Sequence, residues 1–166
     1  MGLKIDLFKI TKKVKNKKLA NLFLDNALKL VIPFNMGMGM KIKSVKPDET
    51  QIQSLPVYRR KNHVGTAHAI SQALLIEYTA GLLIATKYSF ENYRLILTNL
   101  AITYHKPGKG ILTGTCHVPD TWPDLKEGEM FIDMTTKVHN EKNELVSEGK
   151  TTWQLKSWKN TKTKKN

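Results

Sequence analysis

Between Ala69 and Thr86 the chain runs for eighteen residues with a single charge, Glu77. The run reads Ala-Ile-Ser-Gln-Ala-Leu-Leu-Ile-Glu-Tyr-Thr-Ala-Gly-Leu-Leu-Ile-Ala-Thr. A helix that is apolar nearly all round belongs inside a core or a membrane. Length alone permits a membrane span, but a central carboxylate together with Ser71, Gln72 and Thr79 argues against one. The expectation is a core helix covered on nearly every side. An isolated carboxylate is costly to desolvate, so a chain keeps one there when it is paired or when the awkward surroundings serve chemistry. Glu77 is therefore the first candidate for function, against the plainer reading of a structural acid bonded across a subunit contact.

The flanking pattern supplies the cover. Leu19, Leu22, Phe23, Leu28 and Val31 recur at roughly helical spacing, with the basic stretch Lys9–Lys18 before them and Pro33 ending the run. Met36, Met38, Met40 and Ile42 alternate with polar or small residues, which is strand period. Lys46-Pro-Asp-Glu makes a turn into a second strand, Gln51–Tyr58, where Pro56 points to an edge or a bulge. Asn62–Gly65 reads as a loop, with Thr66 as the expected cap of the long helix. Arg94–His105 is a strand whose alternation slips at Thr98–Asn99, the mark of a bulge. Pro107-Gly-Lys-Gly reads as a tight hairpin into the strand Ile111–Val118, followed by a loop with Pro119, Trp122 and Pro123. Met130–His139 and Glu144–Leu155 form a further pair around the turn His139–Asn143, so the last four strands are expected in a meander. The class is α+β: one antiparallel sheet curled around one long central helix, with an extra helix at the N-terminus.

At 166 residues, 40% hydrophobic and 25% charged, the chain is expected to be a single domain over 1–166. Its net charge of +13 is concentrated at the ends. Residues 1–18 hold seven lysines and one acid, residues 156–166 hold five lysines and none, and the segment between carries only +2. We read 1–32 as a basic helical extension and 156–166 as a basic, mobile tail. The plain reading of these ends is solvation, and the other is weak contact with an anionic surface. Zinc-ligand spacing, aromatic RNA platforms and a basic recognition helix are all missing, so nucleic acid is not an expected partner. The single cysteine, Cys116, excludes an intrachain disulfide and a cysteine metal cluster, and it fits a reducing, cytoplasmic setting. Met-Gly-Leu-Lys-Ile-Asp contains no signal-peptide core. His63, His105, His117 and His139 show no metal spacing, Cys116 reads as core packing, and the methionines suit a core or an acyl tunnel.

His68 stands nine residues before Glu77. Nine helical positions turn about 900° and rise about 13 Å, which sets the two on opposite sides of the helix. They cannot act as a pair within one subunit. One sheet of about six strands also leaves part of so apolar a helix uncovered, so a homodimer, or a dimer of dimers, is expected. Across a two-fold axis, one chain's helix start can face the other chain's Glu77.

These residues carry a resemblance. Pro33-Phe34-Asn35…Gly39, then Asn62-His63-Val64-Gly65-Thr66-Ala67-His68-Ala69, then Glu77-Tyr78-Thr79-Ala80-Gly81, resemble the hotdog-fold thioesterase superfamily. More narrowly they resemble the DUF4442 branch, near the PaaI-like acyl-CoA thioesterases, over roughly residues 30–155. The resemblance implies a hotdog fold and hydrolysis of an acyl-CoA or acyl-carrier-protein thioester. It needs no cofactor and no metal, with coenzyme A present only as part of the substrate. It implies that Asn62 orients the thioester or the attacking water, and that His68 is the histidine at the helix start. The backbone N–H of Ala69 becomes the oxyanion donor, as suits a helix N-terminus. Glu77, from the partner subunit, becomes general base or nucleophile. Where the family carries His-Gly-Gly this chain has His68-Ala69-Ile70, and a downstream strand serine of some relatives falls at Leu97 or Thr98. Arg59, Arg60, Gly65, Thr66, Lys106 and Lys109 lie in loops flanking the expected entrance and are the candidate contacts to coenzyme A.

Two alternatives stay open. His63 precedes Glu77 by fourteen residues, a separation that resembles the hotdog dehydratases of fatty-acid synthesis, although their His-Phe-Pro surroundings are absent. The other is a non-catalytic hotdog that binds acyl ligands.

Overall fold

The long apolar run forms the helix Ala69–Lys87, here α2, and the rest of the chain is arranged to bury it. The structure is a computed structural model describing residues 17–119, 121–122 and 128–158. Ahead of α2 come helix α1 (Lys17–Val31), a 3-10 turn (Pro33–Asn35), strands β1 (Met40–Val45) and β2 (Glu49–Ser54), and a second 3-10 turn (Tyr58–Arg60). Four strands follow: β3 (Tyr93–Tyr104), β4 (Leu112–His117), β5 (Glu129–His139) and β6 (Leu145–Ser157). All pair antiparallel in one six-stranded sheet of order β1-β2-β4-β5-β6-β3.

The strands alternate as a one-sided sheet requires. Ile132, Met134, Thr136 and Val138 of β5 face inward, while Phe131, Asp133, Thr135 and Lys137 face out. Leu75, Ile76, Leu83 and Ile84 of α2 are fully buried against that inner face, each worth about 1.5–3 kcal/mol relative to exposure. By length and composition α2 could cross a membrane, yet 72% of its apolar window is buried inside the fold. α1 closes one side of the core with Leu24 and Leu28. Gly81 is a point of close approach: a Cβ there would stand 2.8 Å from the Trp153 ring.

Several expectations change at this level. The bulge in β3 is where the sequence placed it, with the register shifting between Leu97 and Asn99. The four-strand meander is not formed. β4, β5 and β6 are neighbours, but β3 pairs with β6 at the far edge. The Pro107–Gly110 link is a crossover, not a hairpin, because the Gly108 carbonyl accepts the Ala67 amide at 2.8 Å and carries the chain over the start of α2. β1 starts at Met40, not Met36, because Gly37 and Gly39 adopt φ of +76 and +72 and hold a turn. β2 stops at Ser54, ahead of the Tyr58–Arg60 turn. The first residues of the tail expected from Lys156 belong to the fold: the Trp158 amide donates to the Asn92 carbonyl at 3.1 Å. The remainder of that tail, and the basic opening before Lys17, lie outside the described residues.

Candidate active site

The start of α2 is built by its own loop. Asn62 accepts the Val64 and Thr66 amides on Oδ1 at 3.1 and 3.0 Å, and its Nδ2 donates to Thr66 Oγ1 at 2.9 Å. Gly65, at φ +78, supplies the left-handed turn between them. Both polar ends of the Asn62 side chain are thus committed to shaping the loop. Thr66 is buried, with its hydroxyl held by Asn62, so it is not the helix cap expected of it. His68 takes that place: its Nδ1 accepts the Ile70 amide at 3.1 Å. An accepting Nδ1 puts the imidazole proton on Nε2. The Ala69 amide next to it meets no acceptor among the described residues.

Tyr104, at the end of β3, donates its hydroxyl to the Ala69 carbonyl at 3.1 Å and so ties the helix start to the edge strand. Sequence reasoning missed this residue, because no local pattern joins positions 35 apart. Arg60 corrects another expectation. It is 2% exposed and does not flank the entrance as a solvent cation. Its guanidinium donates to the Ser54 carbonyl and hydroxyl and to the Gly110 carbonyl, while its own carbonyl accepts the His68 amide at 2.8 Å. Desolvation lowers its pKa. Arg60 is a buried clamp between the strand end, the crossover and the helix start. Arg59 remains exposed, lying over Gly37.

Lys106 and Lys109 do come together, in a cleft of about 400 Å³ that Glu141, Lys142 and Glu144 also line. Lys106 pairs with Glu144 at 2.7 Å, Lys142 is near enough to the same carboxylate to help lower its pKa, and Lys109 has no acid partner among the described residues. A larger cavity of about 620 Å³, lined by His117, Asp133, Lys137 and His139 among others, lies on the outer face of the sheet, away from α2.

Glu77 sits one helix face away from the best-packed side of α2. Ile70 and Ala73, seven and four positions before it, share that face, and all three are open or half-open. The carboxylate has neither hydrogen bond nor ion pair among the described residues. Desolvation alone raises its pKa above the ordinary carboxylate value. β3, which borders this stripe, is a free sheet edge of twelve residues with Ile96 and Tyr104 exposed. Among the described residues, the single chain therefore presents an unpaired, partly desolvated acid and a free helix-start amide on one open side, beside an unpaired strand edge. His63 is exposed at the loop, and Cys116 is fully buried, its thiol pushed up to about 11 by burial. Among the described residues no three histidine, cysteine or carboxylate side chains gather as a metal site would need.

The profile of a family described as a domain of unknown function (DUF4442) matches residues 21–155. The chain belongs to the DUF4442 family. No curated protein matches the sequence. Solved structures share the architecture, and the DUF4442 chain is a hotdog fold. One is a protein of unknown function from Pseudomonas aeruginosa, provisionally named a thioesterase, with TM-score 0.70 and 17% identity over 82% of this chain and 95% of that one. Another, from Shewanella oneidensis, is also provisionally named a thioesterase, with TM-score 0.71 and 14% identity over 81% and 95% of the two chains. A third, called a thioesterase enzyme, is from Staphylococcus aureus and was solved with a glutamine changed to alanine; it has TM-score 0.64 and 16% identity over 75% and 98%. The same Staphylococcus aureus protein was also solved with a glutamate changed to alanine.

Proposed function

We propose that this DUF4442 protein hydrolyses acyl thioesters, of coenzyme A or of an acyl carrier protein, at a site shared by two copies of the chain. The observation that carries the reading is Glu77: a half-buried carboxylate with no partner among the described residues, on the open stripe beside the free edge of β3. A carboxyl held above its ordinary pKa is better matched to taking a proton from water near neutral pH. In the Staphylococcus aureus protein the changed glutamine and glutamate lie fifteen positions apart, the separation of Asn62 and Glu77 here.

Two chains joined along β3 bury both open stripes and set the Ala69 amide of one towards Glu77 of the other. Glu77 takes a proton from water as the water oxygen bonds to the thioester carbon. The Ala69 N–H receives the charge that develops on the carbonyl oxygen. The C–S bond then breaks, the thiolate leaves with the proton from Glu77, and the products are a carboxylic acid and a thiol. Asn62 acts through the loop it holds in shape. His68 orients the helix start through Ile70. In this reading the cleft carrying Lys109 and Lys142 receives the phosphates of the coenzyme.

Glu77→Gln tests the assignment in a free-thiol assay across acyl chain lengths. We expect turnover to fall by about 10²–10⁴-fold, with solution mass unchanged. Retained hydrolysis would defeat the role of Glu77.

A further inference from the structure

Helix α1 is apolar on two opposite sides. Leu24 and Leu28, each 1% exposed, face the core. Leu22, Phe23 and Leu30, at 54, 49 and 78% exposure, fall together on the outward side. An apolar stripe of this kind on a surface marks something that covers it.

The direction of α1 shows where the stripe leads. Asn21 donates to the Lys43 carbonyl at 3.1 Å and Asp25 accepts the Ile42 amide at 3.4 Å, so the helix runs antiparallel to β1. Its N-terminus lies at the C-terminal end of that strand. The pairings carry the same end across the sheet: Val45 opposite Thr50, Glu49 opposite His117, Glu129 opposite Lys156, and Tyr93 opposite Ser157. Trp158 is pinned there by Nε1 donating to the Phe90 carbonyl at 3.0 Å. Lys17 and Trp158 therefore leave the fold toward the same end, or pole, of the sheet, staggered along the strands because Gly149 of β6, not Trp158, is level with Val45.

The charge of the chain is concentrated in the two segments that join the fold toward this end. Residues 1–18 carry +6, and residues 159–166 carry four lysines without an acid. Acids already in the fold there are partly matched locally, Glu49 by Lys46 at 3.4 Å and Glu129 by Lys156 at 3.7 Å, with Asp48 and Glu91 exposed nearby. The start of α2 and the Asn62 loop lie at the opposite pole, beside the far end of β3.

We propose that this pole docks on an anionic lipid bilayer. Leu22 and Phe23, the part of the stripe nearest the pole, enter the boundary between headgroups and acyl chains. The lysine-rich ends lie along the headgroups. Apolar insertion and several cations acting together give the two-signal binding that neither provides alone. Docked this way, the protein keeps the start of α2 on the aqueous side. The inference does not rest on the thioesterase reading.

Full-length protein is sedimented with vesicles of phosphatidylcholine, with and without phosphatidylglycerol. We expect binding only to the anionic vesicles, weakening by about tenfold or more as salt is raised. The double substitution Leu22→Glu and Phe23→Glu lies outside the core, so its melting temperature should stay at the parent value while partitioning falls by about tenfold. Lys162→Gln with Lys164→Gln and Lys165→Gln should weaken binding without touching the stripe. Equal binding to uncharged vesicles, no binding at all, or binding indifferent to the Leu22 and Phe23 changes would each overturn the proposal. So would a change in solution mass in the double variant, since the stripe would then cover a second copy of the chain.

Discussion

The two halves of α2 are treated differently by the same fold. From Tyr78 to Ala85 every residue is buried, whereas Ala69, Ile70, Ala73 and Glu77 leave one face of the first half open. The second half is sealed by Trp153, which lies over Gly81 where the open face would otherwise continue. One half spends its apolar surface on stability. The other keeps an acid half out of water and within reach of whatever covers it. This division explains how a chain tolerates a carboxylate in a core helix: Glu77 lies on the only side of α2 that the described sheet leaves uncovered.

The sharpest way to break the comparison is Leu83→Ala, in the sealed half. Leu83 is fully buried, and the change should cost about 2–5 kcal/mol of stability in urea unfolding while the folded fraction keeps its activity. A loss of specific activity without a loss of stability would mean the two halves are not separate in role. A smaller effect is expected at the boundary. His68→Ala removes the cap on Ile70 and should cost about 1 kcal/mol, which His68→Asn should largely restore because asparagine caps well. If His68→Asn regains stability but not turnover, the imidazole does more than cap.

The smallest effect on stability concerns Glu77 itself. Burial raises its pKa above about 4.5, so the native state holds that proton to higher pH than the unfolded chain does. Its contribution to stability is therefore greatest in acid and declines as pH rises through the interval between the ordinary and the raised value. Glu77→Gln should melt slightly higher than the parent at neutral pH, with the gap closing in acid. The parent's activity should fall on the acid side as Glu77 protonates, at a pH above the usual carboxylate range. A Glu77→Gln protein that melts lower at neutral pH would show that the carboxylate is paired when the protein assembles.

Much of this was legible in the chain. The eighteen-residue run marked α2 and its lone acid, the slipped alternation at Thr98 marked the bulge in β3, and inward-outward alternation marked β5. The site was legible only in part. Glu77 announced itself by contrast with its neighbours. Arg60 and Arg59 look alike in sequence, yet one is a buried clamp and the other is exposed, because carbonyl groups from residues 54 and 110 converge on Arg60 alone. Thr66 looked like a cap until Asn62 took its hydroxyl. The Tyr104 bond to Ala69 joins two elements that only folding brings together.

By itself, the order of residues determined which segments are helix or strand, that one helix must be enclosed, and that its single acid is an oddity. Those features follow from periodicity and side-chain type, which act over a few positions. Tertiary structure alone decided that β3 pairs with β6 rather than β4, which arginine is buried, and which face of α2 stays open. Each of these depends on hydrogen-bonding groups and packing surfaces supplied from distant parts of the chain, where no local pattern reaches.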